Sequence, residues 1–254
     1  MRLVRRLDHV VAVFDGAQTA FEHLTEELGL PVAWPLQDYP GVVSGGVGFG
    51  NLNVEFVPSR SDNSAHAPVS FSGLAFEPET DVNDAYVARL TASEVRHEEP
   101  VTTPGWTIVK LLGLLDGADT FICDYHIPGA KDASIRRDAL LAAQGGVLRV
   151  QGVVRVVLGV HDMDHALREW SKILGPTTHV DENLWECDDG AAVQLVLSDH
   201  DGVVDIVIEA RGHEVARHDP SDRDLRDILS GLPLTFARTG VVHVAPSRRR
   251  EVGR

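Results

Sequence analysis

Two residues of this 254-residue chain sit where an apolar strand has no use for them. His9 stands in "RLDHVVAVF", with Leu7 on one side and Val10, Val11 and Val13 on the other. Glu55 stands in "NLNVEFVP", between Val54 and Phe56 on a stretch that reads as a buried strand. Side chains alternate along a strand, so one polar residue among apolar ones can point into a cavity while its neighbours pack. A buried carboxylate is costly alone and calls for a cation, a proton or a hydrogen-bond donor. A carboxylate so placed can also serve as a base. The plainer reading makes His9 a hydrogen-bonded core residue and puts Glu55 at an exposed edge.

The elements that position these residues occur twice. "LDHVVAVFDGAQTAFEHLTEELGL" and "VVRVVLGVHDMDHALREWSKILGP" share one strand-to-helix spacing. Ala17, Phe21, Leu24 and Leu28 mark one helical face, and Met163, Leu167, Trp170 and Leu174 repeat it 146 residues later. Gly29 and Gly175 follow at C-cap positions, and Asp15 and Asp162 suit the two N-caps, give or take one position. Each copy continues with short β segments punctuated by glycine and proline, so the unit reads βαβββ. "VSFSGLAFEPETDVNDAYVARLTASEV" begins a second unit that ends in "DTFICDYHIPG". "GVVDIVIEARG", "DPSDRDLRDILSGL" and "TGVVHVAPS" make a shortened fourth. The expected fold class is α+β: four tandem βαβββ modules, the last shortened, forming two paired curved mixed sheets. Residues 1–130 hold the first pair, 131–149 a linker helix, 150–246 the truncated second pair and 247–254 a basic tail.

A strand carrying histidine, a short amphipathic helix ending in "LG" and a later "VEFV" strand resemble the vicinal oxygen chelate superfamily. Its members include glyoxalase I, extradiol dioxygenases, fosfomycin-modifying enzymes and bleomycin-binding resistance proteins; this chain is most similar to glyoxalase-like members. The resemblance implies a bowl with a divalent metal (Zn, Mn, Fe or Ni) held by inward residues of the first and last strands of each module. His9 and Glu55 match those places in module one, with Glu55 also the candidate base. In module two, strict counting back from Pro128 gives Tyr125, while matching an acid followed by an aromatic gives Asp124. The carboxylate is the competent ligand, so the expected metal set is His9, Glu55 and Asp124, with His126 as a same-face alternative. Leu74 falls opposite His9, where many metal-dependent relatives carry histidine, and Ser72 is the nearest side chain with oxygen. Ser72, Trp106, Tyr125 and His126 are the expected substrate contacts. In the second pair, Arg155, Gln194, Asp205 and His243 occupy the corresponding places; arginine cannot ligate a metal. Arg155 with Asp205 reads as a buried ion pair, or as a polar pocket for a carboxylate.

A net charge of −15 disfavours nucleic acid, which is bound through clustered Lys and Arg. No apolar run approaches the roughly 20 residues that span a bilayer, and the N-terminus has no signal-like core. Cys123 and Cys187 form no metal-type pair, so a reduced, cytoplasmic setting is expected. His66, on the loop between modules one and two, is placed to overhang the bowl. Two functions fit: a metal-dependent lyase, isomerase or dioxygenase acting on a small oxygenated metabolite, or a metal-free protein that binds a metabolite or antibiotic. Either takes a small-molecule partner, neither nucleic acid nor membrane, as a monomer or homodimer.

Overall fold

The computed structural model describes residues 2–39, 42–59, 70–178, 183–188, 191–211 and 234–238. The first half forms one eight-stranded sheet. Its first module runs β1 (Val4–Phe14), α1 (Ala17–Glu22), β2 (Val32–Tyr39), β3 (Val42–Gly48) and β4 (Asn53–Pro58). The second runs β5 (Ser70–Pro78), α2 (Asp84–Ala92), β6 (Val101–Thr102), β7 (Trp106–Leu111) and β8 (Asp119–Tyr125). The strand order, β2-β3-β4-β1-β5-β8-β7-β6, sets the modules back to back across the antiparallel β1–β5 pair. Within each module the first strand runs parallel to the last, β1 beside β4 and β5 beside β8.

Helix α3 (Ala133–Ala142) joins the halves, capped by Asp132. The second half contributes β9 (Val150–Val160), α4 (Met163–Leu174), β10 (Leu184–Glu186), β11 (Ala192–Leu197), β12 (Gly202–Ala210) and β13 (Leu234–Arg238). They form a second sheet, β10-β11-β9-β12-β13. The described strand of the shortened unit's end is Leu234–Arg238; the expected helix over 219–232, the expected strand over 239–247, His66, His243 and the basic tail lie outside the described residues.

Alternation on β1 and β4 divides the work. Val54 and Phe56 join Phe14, Phe21 and Leu24 in the core beneath α1, while Asn53 and Glu55 take the other face. The first helix departs from its expected form. Gly16, not Asp15, holds its N-cap without a side-chain bond, and after Glu22 the backbone widens into a π turn over His23–Glu27. In α4, Asp162 caps as expected, accepting from the His165 amide at 2.9 Å. The halves are packed together rather than strung apart. Trp170 of α4 lies with its ring 5.9 Å from Phe76 of β5, and the Asn51 side chain bonds both the amide and the carbonyl of Val153.

Candidate functional site

The concave face of the large sheet bounds a cavity of about 570 Å3, within the range of pockets that bury a drug-sized ligand. His9, Asn53, Glu55, Ser44 and Tyr125 give it polar groups. Trp34 of β2 and Trp106 of β7 line it from opposite sides of the central strand pair, and Phe121 of β8 lies between. Arg136, Ile135 and Ala139 bring α3 into the lining.

The polar groups form one chain. His9 Nε2 lies 3.3 Å from Glu55 Oε2, and its Nδ1 lies 2.6 Å from Asp8 Oδ2. Tyr125 donates its hydroxyl to the same Asp8 oxygen at 2.6 Å. Arg136 donates to Asp8 Oδ1 and, at 2.9 Å, to Glu77 Oε1. Arg6 at 2.7 Å and Arg5 at 2.8 Å complete the pairing of Glu77. Consecutive residues of a regular strand face opposite ways, yet Asp8 and His9 touch. A register shift between Leu7 and His9 sets two residues of β1 against one step of β5. Such a bulge re-aims a side chain, here the Asp8 carboxylate beside its neighbour's imidazole.

These contacts decide the charges. Burial works against a charged His9, but Asp8 and Glu55 outweigh it and push the imidazole up to about 9. At neutral pH it is an imidazolium donating from both nitrogens. Burial likewise opposes ionised Asp8, and Arg136 and then His9 outweigh it, holding the carboxyl well below its usual range. Glu55 is also lowered, since His9 and the Ser44 hydroxyl overcome its burial. Ser44 in turn accepts from Trp34 Nε1 at 3.0 Å, which ties the aromatic wall to the carboxylate. Cys123 lines the cavity, but burial pushes its thiol far up, so it is not a nucleophile at neutral pH.

Of the residues singled out in the sequence, His9, Glu55, Trp106 and Tyr125 come together at the cavity. Asp124 does not. Phe121, Cys123 and Tyr125 face the cavity, so the intervening Asp124 turns to the opposite side of β8. There it accepts from the Val82 amide at 2.7 Å and pairs with Lys131 Nζ at 2.5 Å. The strict count to Tyr125 matches the strand's parity; preferring the better ligand does not. His126 is exposed and bonds Thr107 Oγ1 at 3.1 Å. Ser72 falls in a register shift of β5 and is absent from the lining. Leu74 pairs with Val10 in the core, and Ala75 is the residue across from His9. Beside it, a Cβ on Gly73 would meet Val11 Cγ2 at 2.9 Å and Phe121 Cζ at 3.0 Å, leaving no room there for a second ligand. Asp8, Arg136 and Asn53 are the site residues that sequence reasoning missed. The charged run "RRLDH" was a signal for Asp8; nothing local marked Arg136.

No family model matches the chain, and no curated protein matches it. Solved structures do. A hypothetical protein from Staphylococcus aureus superposes with a TM-score of 0.61, covering 93% of this chain and 100% of its own at 11% identity. A variant of homoprotocatechuate 2,3-dioxygenase from Brevibacterium fuscum superposes with a TM-score of 0.52 at 10% identity. That match covers 91% of this chain and 62% of the dioxygenase, so the chain spans less than two thirds of that enzyme. The chain has the vicinal oxygen chelate fold.

The resident ion that a vicinal oxygen chelate bowl implies fits these residues poorly. Among the described residues no group of three His, Cys, Asp or Glu side chains gathers to hold a metal. His9 and Glu55 converge, but Asp124 faces away and the module-two side offers Gly73 and Ala75. The Asp8 carboxylate on His9 Nδ1 is a contact that also orients a ligating imidazole, so the misfit lies in the missing third side chain among the described residues.

Proposed function

We propose that this is a metal-independent binding protein for a planar, largely apolar small molecule. The observation that carries the reading is the pairing of an aromatic-walled cavity with a self-neutralised polar floor. His9 is satisfied by two carboxylates and Asp8 by Arg136 and Tyr125, so the floor needs no metal to balance its charge. Glu55, held ionised, is a weak base at neutral pH but a good acceptor for a donor group on the ligand. Trp34, Trp106 and Phe121 supply flat apolar surface for a ring system. No described helix is long and apolar enough to cross a membrane. Cys123 and Cys187 are free and buried, and a cytoplasmic setting with no nucleic-acid or membrane partner belongs to the same proposal.

One observation favours a second reading. His9 Nε2 and Glu55 Oε2 lie close enough to touch a common ion. A divalent metal held by those two groups and by substrate oxygens would make the chain a metal-dependent lyase, isomerase or dioxygenase of the glyoxalase-like kind. One experiment separates the two. The purified full chain, before and after EDTA dialysis, is screened by thermal shift against planar aromatic compounds, alongside elemental analysis. Ligand-dependent stabilisation that survives EDTA supports the binding protein. Stoichiometric metal whose removal lowers the melting temperature and abolishes ligand binding overturns it in favour of the enzyme.

A further inference from the structure

One polar side chain of the cavity is left with an unpaired oxygen. Asn53 lines it, is only 4% exposed, and its Oδ1 has no hydrogen-bond partner among the described residues. A buried carboxamide oxygen left unpaired costs free energy that a leucine of similar size would not. Its placement gives that cost a purpose. Asn53 is two residues before Glu55 on the same face of β4, about 7 Å along the strand, and is register-paired with His9 of β1. Oδ1 itself is sealed from the cavity in this conformation, so a ligand meets the carboxamide through its N–H side, or through the oxygen after a half-turn of the side chain's end, beside the Glu55 carboxylate.

We propose that Asn53 reads the ligand, and that the ligand is a planar nitrogen heterocycle with an amino-lactam edge. A carboxamide offers one N–H side and one carbonyl side, and a half-turn of its end exchanges them. Its complement is a group with a donor beside an acceptor, as a lactam N–H beside a ring carbonyl provides. Glu55 offers only acceptors, since its His9 and Ser44 contacts bring donors to it. Its complement is an N–H, met by an amino group next to the lactam. The His9–Glu55 pair is already neutral overall, so the ligand needs donors and acceptors more than net charge. The inference rests on the binding reading above and specifies which edge of the ligand the floor selects.

The test uses the full chain and two flat bicyclic probes in isothermal titration calorimetry. 2-Aminoquinazolin-4-one carries the amino-lactam edge; quinoline has similar shape and lacks it. The wild type is expected to prefer the aminoquinazolinone by about tenfold or more, the scale of one or two well-made hydrogen bonds. Asn53→Leu should erase that preference, leave quinoline affinity within about threefold, and raise the melting temperature of the ligand-free protein by a few degrees. Asn53→Ala, which cannot overfill the site, should also erase it. Equal affinity of the wild type for both probes, or a preference kept by both variants, overturns the inference and leaves the binding reading standing. So does a lower melting temperature in both variants, which would make Asn53 a structural residue. Failure of both probes to bind overturns the binding reading together with the inference.

Discussion

The two halves repeat one register and give it different residues. In the first, β1 pairs with β4 so that His9 lies across from Asn53 and Val11 from Glu55. In the second, β9 pairs with β11 so that Arg155 lies across from Ala192 and Val157 from Gln194. Arg155 and Gln194 thus stand where His9 and Glu55 stand, by strand pairing as well as by sequence offset. Their surroundings differ. The first half walls its concave face with β2, β3, β7 and β8, whereas beyond β11 the described second half has only the three-residue β10. Arg155 and Asp205 are half-buried on neighbouring antiparallel strands. The same backbone plan can carry a walled site or leave its equivalent residues bare, and the flanking strands decide which.

The largest effect should come from the linker. Arg136→Met leaves Asp8 and Glu77 short of their shared cation, and breaking a buried ion pair from one side costs about 3–5 kcal/mol. Arg155→Met, at a half-buried place, should cost under about 1 kcal/mol. Urea unfolding of both variants checks the contrast, and equal losses would break it.

The pH response should come next. His9 rises from about 6.5 unfolded to about 9 folded, so its pairing stabilises fully below pH 6.5 and is lost as pH climbs through 9. Asp8 is lowered on folding, so its contribution is present above its unfolded value near 4 and fades as pH falls below that. Unfolding free energy should therefore drop by on the order of 2–3 kcal/mol between pH 6 and 9.5. In His9→Gln most of that drop should vanish; an unchanged drop would show that other groups cause it.

Ligand binding should then separate the tryptophans. Trp34→Leu should weaken binding of an aromatic ligand about tenfold, through lost stacking and apolar contact. Trp185→Phe, whose Nε1 donates to the Gly175 carbonyl in the core at 2.8 Å, should lower stability and leave affinity unchanged. The smallest effect belongs to Gln194→Glu. Restoring a carboxylate at the second-half counterpart of Glu55 should confer no metal or ligand binding measurable by calorimetry, because among the described residues only the short β10 flanks β11.

Much of the fold was legible because it rests on short-range patterns repeated at a fixed distance. Helical steps of four, three and four, alternation in "NVEFV" and the glycines at 29 and 175 are local signals that tertiary packing did not override. The site was legible only where a residue violates such a pattern alone, as His9 and Glu55 do. Asp124 was misplaced because ligand chemistry was allowed to shift a strand by one position, which turns a side chain to the other face. Asp8 was hidden by a bulge that depends on β5, far along the chain. Arg136 was hidden because a linker helix shows from sequence only that it is a helix. Nothing local distinguishes Asn53 from any polar residue that opens a strand after a turn.

The junction helix also bears on how the molecule could be divided. A polypeptide truncated after Ala130 would retain all eight strands of the bowl and lose the guanidinium that neutralises Asp8. One extended through Ala142 would carry that charge along. Any fragment with an intact binding floor therefore ends past the last strand, inside what looks by connectivity like mere tether.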